Sequence, residues 1–361
     1  MNVRPNPSSQ TPSVGGGREN DRADTMAIMR AIRDADRRMR ERFPVLRHQS
    51  ALGMGFVGLG YATAAVSACL FVNGLIPAWA CIVINAMAFA VLREIEHDLI
   101  HNLYFKGRRT LQNIVLFLIW PAFGNVPSPL YRRKIHLQHH GSSGHEDDLE
   151  ERLIGNGNGF GPLRWLSMID TGLSLLFRRR ELKGIPGFKR SELLRSLVPV
   201  NLIFYIMWLS YLGYHGATLA ASLVGLPLEP PAWFAPVVPV VNVVAVVWVL
   251  PNVIRQACLQ ILSSSMHYYG DVESTVQQTQ VLSKWYWLPL QLFSCNFGNS
   301  HAIHHFFVAQ PFYLRELVRR DAHAAMRSHG VRFDDLGTVS RANRWGSVDS
   351  VPEAGRLPAA A

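Results

Sequence analysis

The sequence predicts an all-α integral membrane protein in which two transmembrane helical hairpins carry a cytoplasmic helical cap, and the cap holds a dinuclear metal site. Three observations lead to this class. Long apolar stretches occur in two closely spaced pairs, lysine and arginine avoid the turn inside each pair, and eight of the 14 histidines fall into three tight clusters near the ends of these stretches.

Composition supports a membrane protein. Of 361 residues, 48% are hydrophobic and only 17% charged, against about 25% charged in ordinary soluble domains. The net charge of +10 invites a nucleic-acid reading, but the basic residues form no reading motif and flank apolar spans, where the positive-inside rule expects them. Cys69, Cys81, Cys258 and Cys295 lie apart with no Cys-x-x-Cys pair, which argues against a disulfide framework or an iron–sulfur centre.

Taken in order, residues 1–24, with Pro5, Pro7, Pro12 and Gly15 to Gly17, read as a disordered cytoplasmic tail without the apolar core of a secretory signal. From Asp24 to His48 a helix carries Arg30, Arg33, Arg37, Arg38, Arg40 and Arg42. It reads as a juxtamembrane helix facing anionic headgroups, or equally as a solvated basic helix. The membrane domain spans residues 25–332. Its first hairpin pairs 51–73 with 76–92 around Asn73, Gly74 and Pro77, and delivers Glu94, Glu96 and His97 to its end. Stretches 111–123, 161–177 and 285–295 fall short of the roughly 20 residues that span a bilayer and read as interfacial or re-entrant helices. The second hairpin pairs 197–222 with 236–262 through a proline-rich turn at 226–231 and delivers His267. Residues 333–361 read as a flexible tail.

Neither hairpin turn holds a lysine or arginine, whereas Arg108, Arg109, Arg132, Arg133, Lys134, Arg178 to Arg180, Arg315, Arg319 and Arg320 lie outside the pairs. Both turns therefore face away from the cytoplasm, which puts both termini and every histidine cluster on the cytoplasmic side.

The clusters are His97-x3-His101, His136-x2-His139-His140 and His301-x2-His304-His305. Residues at i, i+3 and i+4 share one helix face, so each cluster can aim two or three imidazoles at one place. Imidazole suits zinc, copper, nickel and iron alike. Because four ligands complete a structural zinc site, eight imply two ions with positions left open. A dinuclear iron site that activates dioxygen fits this set, with dizinc hydrolysis as the competing chemistry. The isolated His48, His215, His323 and His329 read as packing or interface residues.

In this order and spacing the three motifs, with the two hairpins between them, resemble the membrane fatty acid desaturase superfamily, which includes hydroxylases and other lipid oxidases; the resemblance covers about residues 45–320. It implies a ninth ligand, His267, in Ser263-Ser-Ser-Met-His267-Tyr-Tyr-Gly270, where Ser263 replaces the asparagine of acyl-CoA desaturases. It further implies two iron ions, dioxygen as co-substrate, and oxidation of an unactivated C–H bond in an acyl chain held in an apolar channel. Carboxylates behind the imidazoles would orient them and offset charge, with Glu94, Glu96, Asp98, Glu146, Asp147, Asp148 and Asp271 as candidates; most of 146–151 reads equally as a solvated acidic run.

Electrons must come from a separate ferredoxin or cytochrome-type donor with its reductase, since no flavin or nicotinamide fingerprint is present and Gly155-Asn-Gly157-Asn-Gly159 follows no strand. Arg132, Arg133 and Lys134 form a candidate basic rim for that donor or for lipid headgroups. His301 stands where front-end desaturases carry glutamine, and the first cluster has three intervening residues, unlike the four of acyl-CoA delta-9 enzymes. Desaturation of a fatty acid or acyl lipid is the leading expectation. Acyl or carotenoid hydroxylation, oxidative decarboxylation of a free fatty acid to a terminal alkene, a zinc-dependent membrane hydrolase, and a metal carrier or scaffold are the alternatives.

Overall fold

The structure, a computed structural model, describes residues 14–226 and 228–346; residues 1–13 and 347–361 of the expected tails lie outside the described residues. The described chain is helical, with no strand and only two isolated bridges, His267 to Thr279 and Val281 to Phe333.

Helix α1 (Val14–Arg42) starts ten residues before the expected Asp24, within what the sequence suggested was a disordered tail. Its apolar side carries Ile28, Ile32 and Ala35, all buried. Ile28 and Ile32 join Ala302, Ile303, Ala322 and Met326 in one core cluster. Its arginines lie on the other side, where Arg38 pairs with Asp321 at 2.7 Å. The helix is therefore part of the fold as well as basic.

Uncharged apolar sequence produces α2 (Gln49–Val72) and the first four turns of α3 (Ala78–Ile100), whose last two turns carry Arg93, Glu94, Glu96 and Asp98. Asn73 closes α2 by donating its N–H to the Cys69 carbonyl, and Gly74 supplies the left-handed φ of +72° that turns the chain. Small residues let the pair approach: a Cβ on Gly60 would stand 2.7 Å from Leu92.

Short helices follow: α4 (Arg109–Ile119), α5 (Pro129–Ser142), α6 (Leu149–Leu153), α7 (Pro162–Ile169), α8 (Thr171–Phe177), α9 (Arg179–Lys183) and α10 (Arg190–Ser196). On α4, Val115, Leu116 and Ile119 are buried while Ile114, Phe117 and Leu118 face outward. Apolar residues on both faces of a helix too short to span suit a position at a membrane boundary.

Helix α11 (Val200–Leu223) leaves α10 at a bend of 78°. A final long segment, Val238–Met266, comprises α12 (Val238–Val244), a π-helical turn at Ala245–Val249 and α13 (Leu250–Met266). Three helices, α2, α3 and Val238–Met266, are long and apolar enough to cross a membrane, and a fourth span results if α10 and α11 count together. The π turn has a sequence cause. Pro251 has no N–H for the Val247 carbonyl four residues earlier, and the buried Asn85 of α3 donates its Nδ2 to that carbonyl at 2.8 Å.

Helices α14 (Thr275–Gln278), α15 (Leu288–Leu292), α16 (Phe297–Phe306) and α17 (Phe312–Ser328) complete the body beyond the long helices. The fully buried Arg315 of α17 bonds Glu94 at 2.8 Å and Asp98 at 3.3 Å on α3. The expected flexible tail is corrected in part, because residues 333–346 fold back onto the body with Thr338 and Asn343 buried. Short polar sequence looked tail-like; its side chains instead cap buried backbone, as described below.

Replacing Asn85 with Ala leaves the Val247 carbonyl without a donor. The expected loss is about 0.6 kcal/mol, and at most about 1.7, read as a lowered melting temperature in detergent with the helical circular dichroism retained.

Candidate metal centre

Three helices and the residue that follows a fourth converge here. The C-terminal end of α3 brings His97 and His101, α5 brings His136, His139 and His140, the residue after α13 is His267, and α16 brings His301, His304 and His305. All nine histidines singled out in the sequence meet, in two groups: His97, His101, His136, His140 and His304 form one, and His139, His267, His301 and His305 the other. Within each group the candidate ligand atoms lie within 4.8 Å of one another.

Helical spacing explains the division. On α5 the i and i+4 residues His136 and His140 go to the first group and the i+3 residue His139 to the second; on α16 the i and i+4 residues His301 and His305 go to the second and His304 to the first. Both helices therefore serve both groups, in opposite senses.

The Nε2 atoms face one another. His101 to His136 is 2.9 Å, His304 to His101 and to His140 each 3.0 Å, His267 to His305 3.2 Å and His305 to His301 3.3 Å. Two nitrogens each about 2.1 Å from a shared ion stand about 3.0 Å apart at a right angle and about 3.4 Å apart at a tetrahedral one, so these spacings are edges of a coordination polyhedron. His97 adds a buried ring with neither nitrogen bonded, 4.4 Å from the His304 ring. The donor set fits two transition-metal ions.

Behind the imidazoles stands a layer that fixes the rings through Nδ1. His139 is bonded to Asp148 at 2.8 Å, His136 to Glu150 at 2.7 Å, and His267 to the Ser263 carbonyl at 2.9 Å with Glu151 at 3.4 Å. Glu150 also accepts from Arg132 at 2.6 Å. Of the carboxylates expected in this role, Asp148 holds it directly. Asp98 lies 3.7 Å from His97 Nδ1, beyond a hydrogen bond, and is engaged by Tyr104, the Phe312 N–H and Arg315. Glu96 touches Arg93 and Arg132 rather than a histidine. Glu94 serves Arg315. Glu146 and Asp147 are exposed, and Asp271 instead accepts the N–H groups of Trp345 and Gly346, each at 2.7 Å.

Glu150 and Glu151 were hidden in the acidic run. The available signal was Asp148-Leu-Glu-Glu151, a helix-start pattern: Asp148 caps α6 by accepting from the Glu151 N–H at 3.2 Å. That cap turns the rest of the run inward. The expected basic rim is also revised, because Arg132 and Arg133 are buried and bonded to Glu150 and Asn113, leaving Lys134, paired with Glu192, on the surface.

Burial holds His101, His136 and His267 near 3, far below the ordinary imidazole value, and pushes His140, His301, His304 and His305 down as well. These rings are neutral, the form that binds metal. His139 differs: burial would lower it, but the Asp148 carboxylate, with Glu150 and Glu151 nearby, outweighs burial and lifts it to about 9. Burial would raise Glu150, yet His136 and Arg132 outweigh it and hold the carboxyl well below its usual range.

A cavity of about 480 Å³ reaches the centre. His97, His136, His139, His267 and His301 form part of its wall, and much of the remainder is leucine, including Leu173, Leu182, Leu193 and Leu197. Arg179, Lys183 and Arg190 also line it while exposed, as do Leu176, Leu194 and Leu209, so that its exposed rim is part basic and part apolar.

The family model described as fatty acid desaturase matches residues 73–337. This span starts at the turn between α2 and α3 and includes all nine histidines. No curated protein matches the chain.

Asp148→Asn keeps the size of the group behind His139 but removes its charge. It is expected to weaken binding of one ion by roughly 10- to 100-fold, measured by chelator competition; a stripping curve identical to that of the unaltered protein would remove Asp148 from the metal-supporting layer.

Proposed function

Because the chain belongs to the fatty acid desaturase family, we propose that it is a membrane di-iron oxidase that uses dioxygen to remove two hydrogens from the acyl chain of a fatty acid or acyl lipid. One observation carries the reading: nine imidazoles, seven of them buried, are arranged as two ligand groups, and five of them border a leucine-walled cavity. His97, His101, His136, His140 and His304 are assigned to one iron and His139, His267, His301 and His305 to the other. When bound, the iron pair supplies activation of dioxygen and abstraction of hydrogen from an unactivated C–H bond.

The residues of the chain do the rest. Asp148 and Glu150 hold the His139 and His136 rings by their Nδ1 atoms, so each Nε2 stays aimed at the centre. Leucine walls exclude water and grip a saturated chain without directional bonds. Arg179, Lys183 and Arg190 at the exposed rim suit the anionic head group of an acyl substrate. The absence of lysine and arginine between α2 and α3 and between α11 and α12 supports an orientation with both termini and the metal site on the cytoplasmic side. There a separate ferredoxin or cytochrome-type protein, with its reductase, supplies electrons.

The test is mass spectrometry of lipids and volatile hydrocarbons from cells that express the protein and receive isotopically labelled fatty acid, beside a His139→Ala control. New double bonds that require His139 are expected. Labelled hydroxy acids would make the protein a hydroxylase instead, a terminal alkene one carbon shorter would make it a decarboxylase, and zinc in place of iron with unchanged lipids would overturn the oxidase reading.

A further inference from the structure

Helix α13 ends at Met266, and its final carbonyls would be left without partners in a buried place. The His267 N–H takes the Ser263 carbonyl, and residues outside the helix take those of Ser264, Ser265, Met266 and His267. The Ser265 carbonyl accepts from the Gln280 side chain at 2.9 Å, and the Met266 carbonyl from the Gln280 N–H at 2.9 Å. The remaining two, Ser264 and His267, both accept from Nδ2 of Asn343, the latter at 2.9 Å. Asn343 is fully buried and has a left-handed φ of 68°, a conformation asparagine adopts more readily than most residues. It lies past residue 337, where the family match ends.

A second route joins the same residues. The Asn343 Oδ1 accepts from the buried Arg164, which also donates to Asn156 Oδ1 at 3.0 Å. Asn156 donates to Glu151, and Glu151 accepts from Ser263 at 3.1 Å and lies 3.4 Å from His267 Nδ1. Asn343 thus reaches both the backbone and the ring of His267. The segment around it is clasped to the following residues: Tyr268 donates to Asp335 at 2.8 Å, the Tyr269 N–H donates to the Asn343 carbonyl at 2.8 Å, and Asp271 accepts from Trp345 and Gly346.

We infer that Asn343 is a positioning residue for His267: its amide latches the end of α13 so that the His267 imidazole completes the four-histidine group. The inference rests on the metal reading above. Without the amide, the buried His267 carbonyl loses its donor and the Ser264 carbonyl keeps only the long 3.5 Å contact from Arg164, so the chain at His267 is free to rewind or swing, while none of the five-histidine group is touched. The effect is therefore confined to one of two ions.

The experiment uses the full-length protein, purified in detergent and loaded with iron, and follows iron per chain during chelator titration. The decisive variant is Asn343→Gly, which suits the left-handed backbone and removes only the side chain. Roughly 10- to 100-fold weaker retention of one ion is expected, with the other unchanged, in line with loss of an outer support to a metal ligand. Trp345→Ala, which removes the ring packed edge-on against Tyr268 at 4.8 Å and covered by Arg332 but leaves the Asn343 amide, is expected to lower the melting temperature while both ions are retained. Should Asn343→Gly not accumulate, Asn343→Asp serves, since a carboxylate can accept from Arg164 but cannot donate to the two carbonyls. Two ions held as tightly as in the unaltered protein, or equal loss from Trp345→Ala, would overturn the latch. An unaltered protein that takes up no transition metal would instead sink the metal reading, and the latch with it.

Discussion

The structure depends on holding imidazole nitrogens face to face, at 2.9 to 3.3 Å, in a largely buried space. Neutral rings with lone pairs so directed gain nothing from one another, and burial opposes protonating them. The helices that present them must therefore be fixed by other contacts. Arg315 does this for α17 against α3 through Glu94 and Asp98, and Arg132 for α5 through Glu150. Such buried pairs add little net stability, yet removing one partner strands a charge at about 3–5 kcal/mol. Their effect is to permit one arrangement of the helices and penalise others.

The division of each His-x2-His-His motif between the two groups has a consequence for assembly. Helix α3 contributes only to the five-histidine group and the end of α13 only to the other, whereas α5 and α16 each contribute to both. Neither group can close until α5 and α16 are docked, and docking them for one group sets them for the other. Occupation by metal is thereby coupled to the packing of the whole helical body, as expected where ligands come from distant parts of a chain.

The parts legible in the sequence were those with a strong local period or composition. Long apolar runs located α2, α3, α11 and Val238–Met266, and the i, i+3, i+4 spacing located eight histidines; His267, isolated in sequence, came only through family resemblance. Roles set by tertiary contact were not legible. Asp147 and Asp148 are neighbours in one acidic run, but the cap at α6 sends one into solvent and the other to His139. Arg132 and Arg133 look like surface charge until Glu150 and Asn113 are placed beside them. Residues 333–346 have a polar composition like that of a tail. Their hydrogen-bonding groups are used on α13 and its following turn, a pairing across more than seventy residues that no local pattern encodes.

The two groups are not equivalent, and the difference bears on chemistry. Five imidazoles with one directly bonded carboxylate, Glu150, make up the first group; four imidazoles backed by Asp148 and approached by Glu151 make up the second. Negative charge behind a ligand raises its basicity and favours the higher charge on the ion it serves. The second group also has one donor fewer, and three of its four histidines, His139, His267 and His301, border the cavity. On the proposed di-iron reading, an exogenous ligand and the acyl chain would therefore meet beside the four-histidine group, where coordination is less complete. The accuracy with which His267 is held then matters more than its isolated place in the sequence suggests, because it stands at both the less filled group and the wall of the cavity.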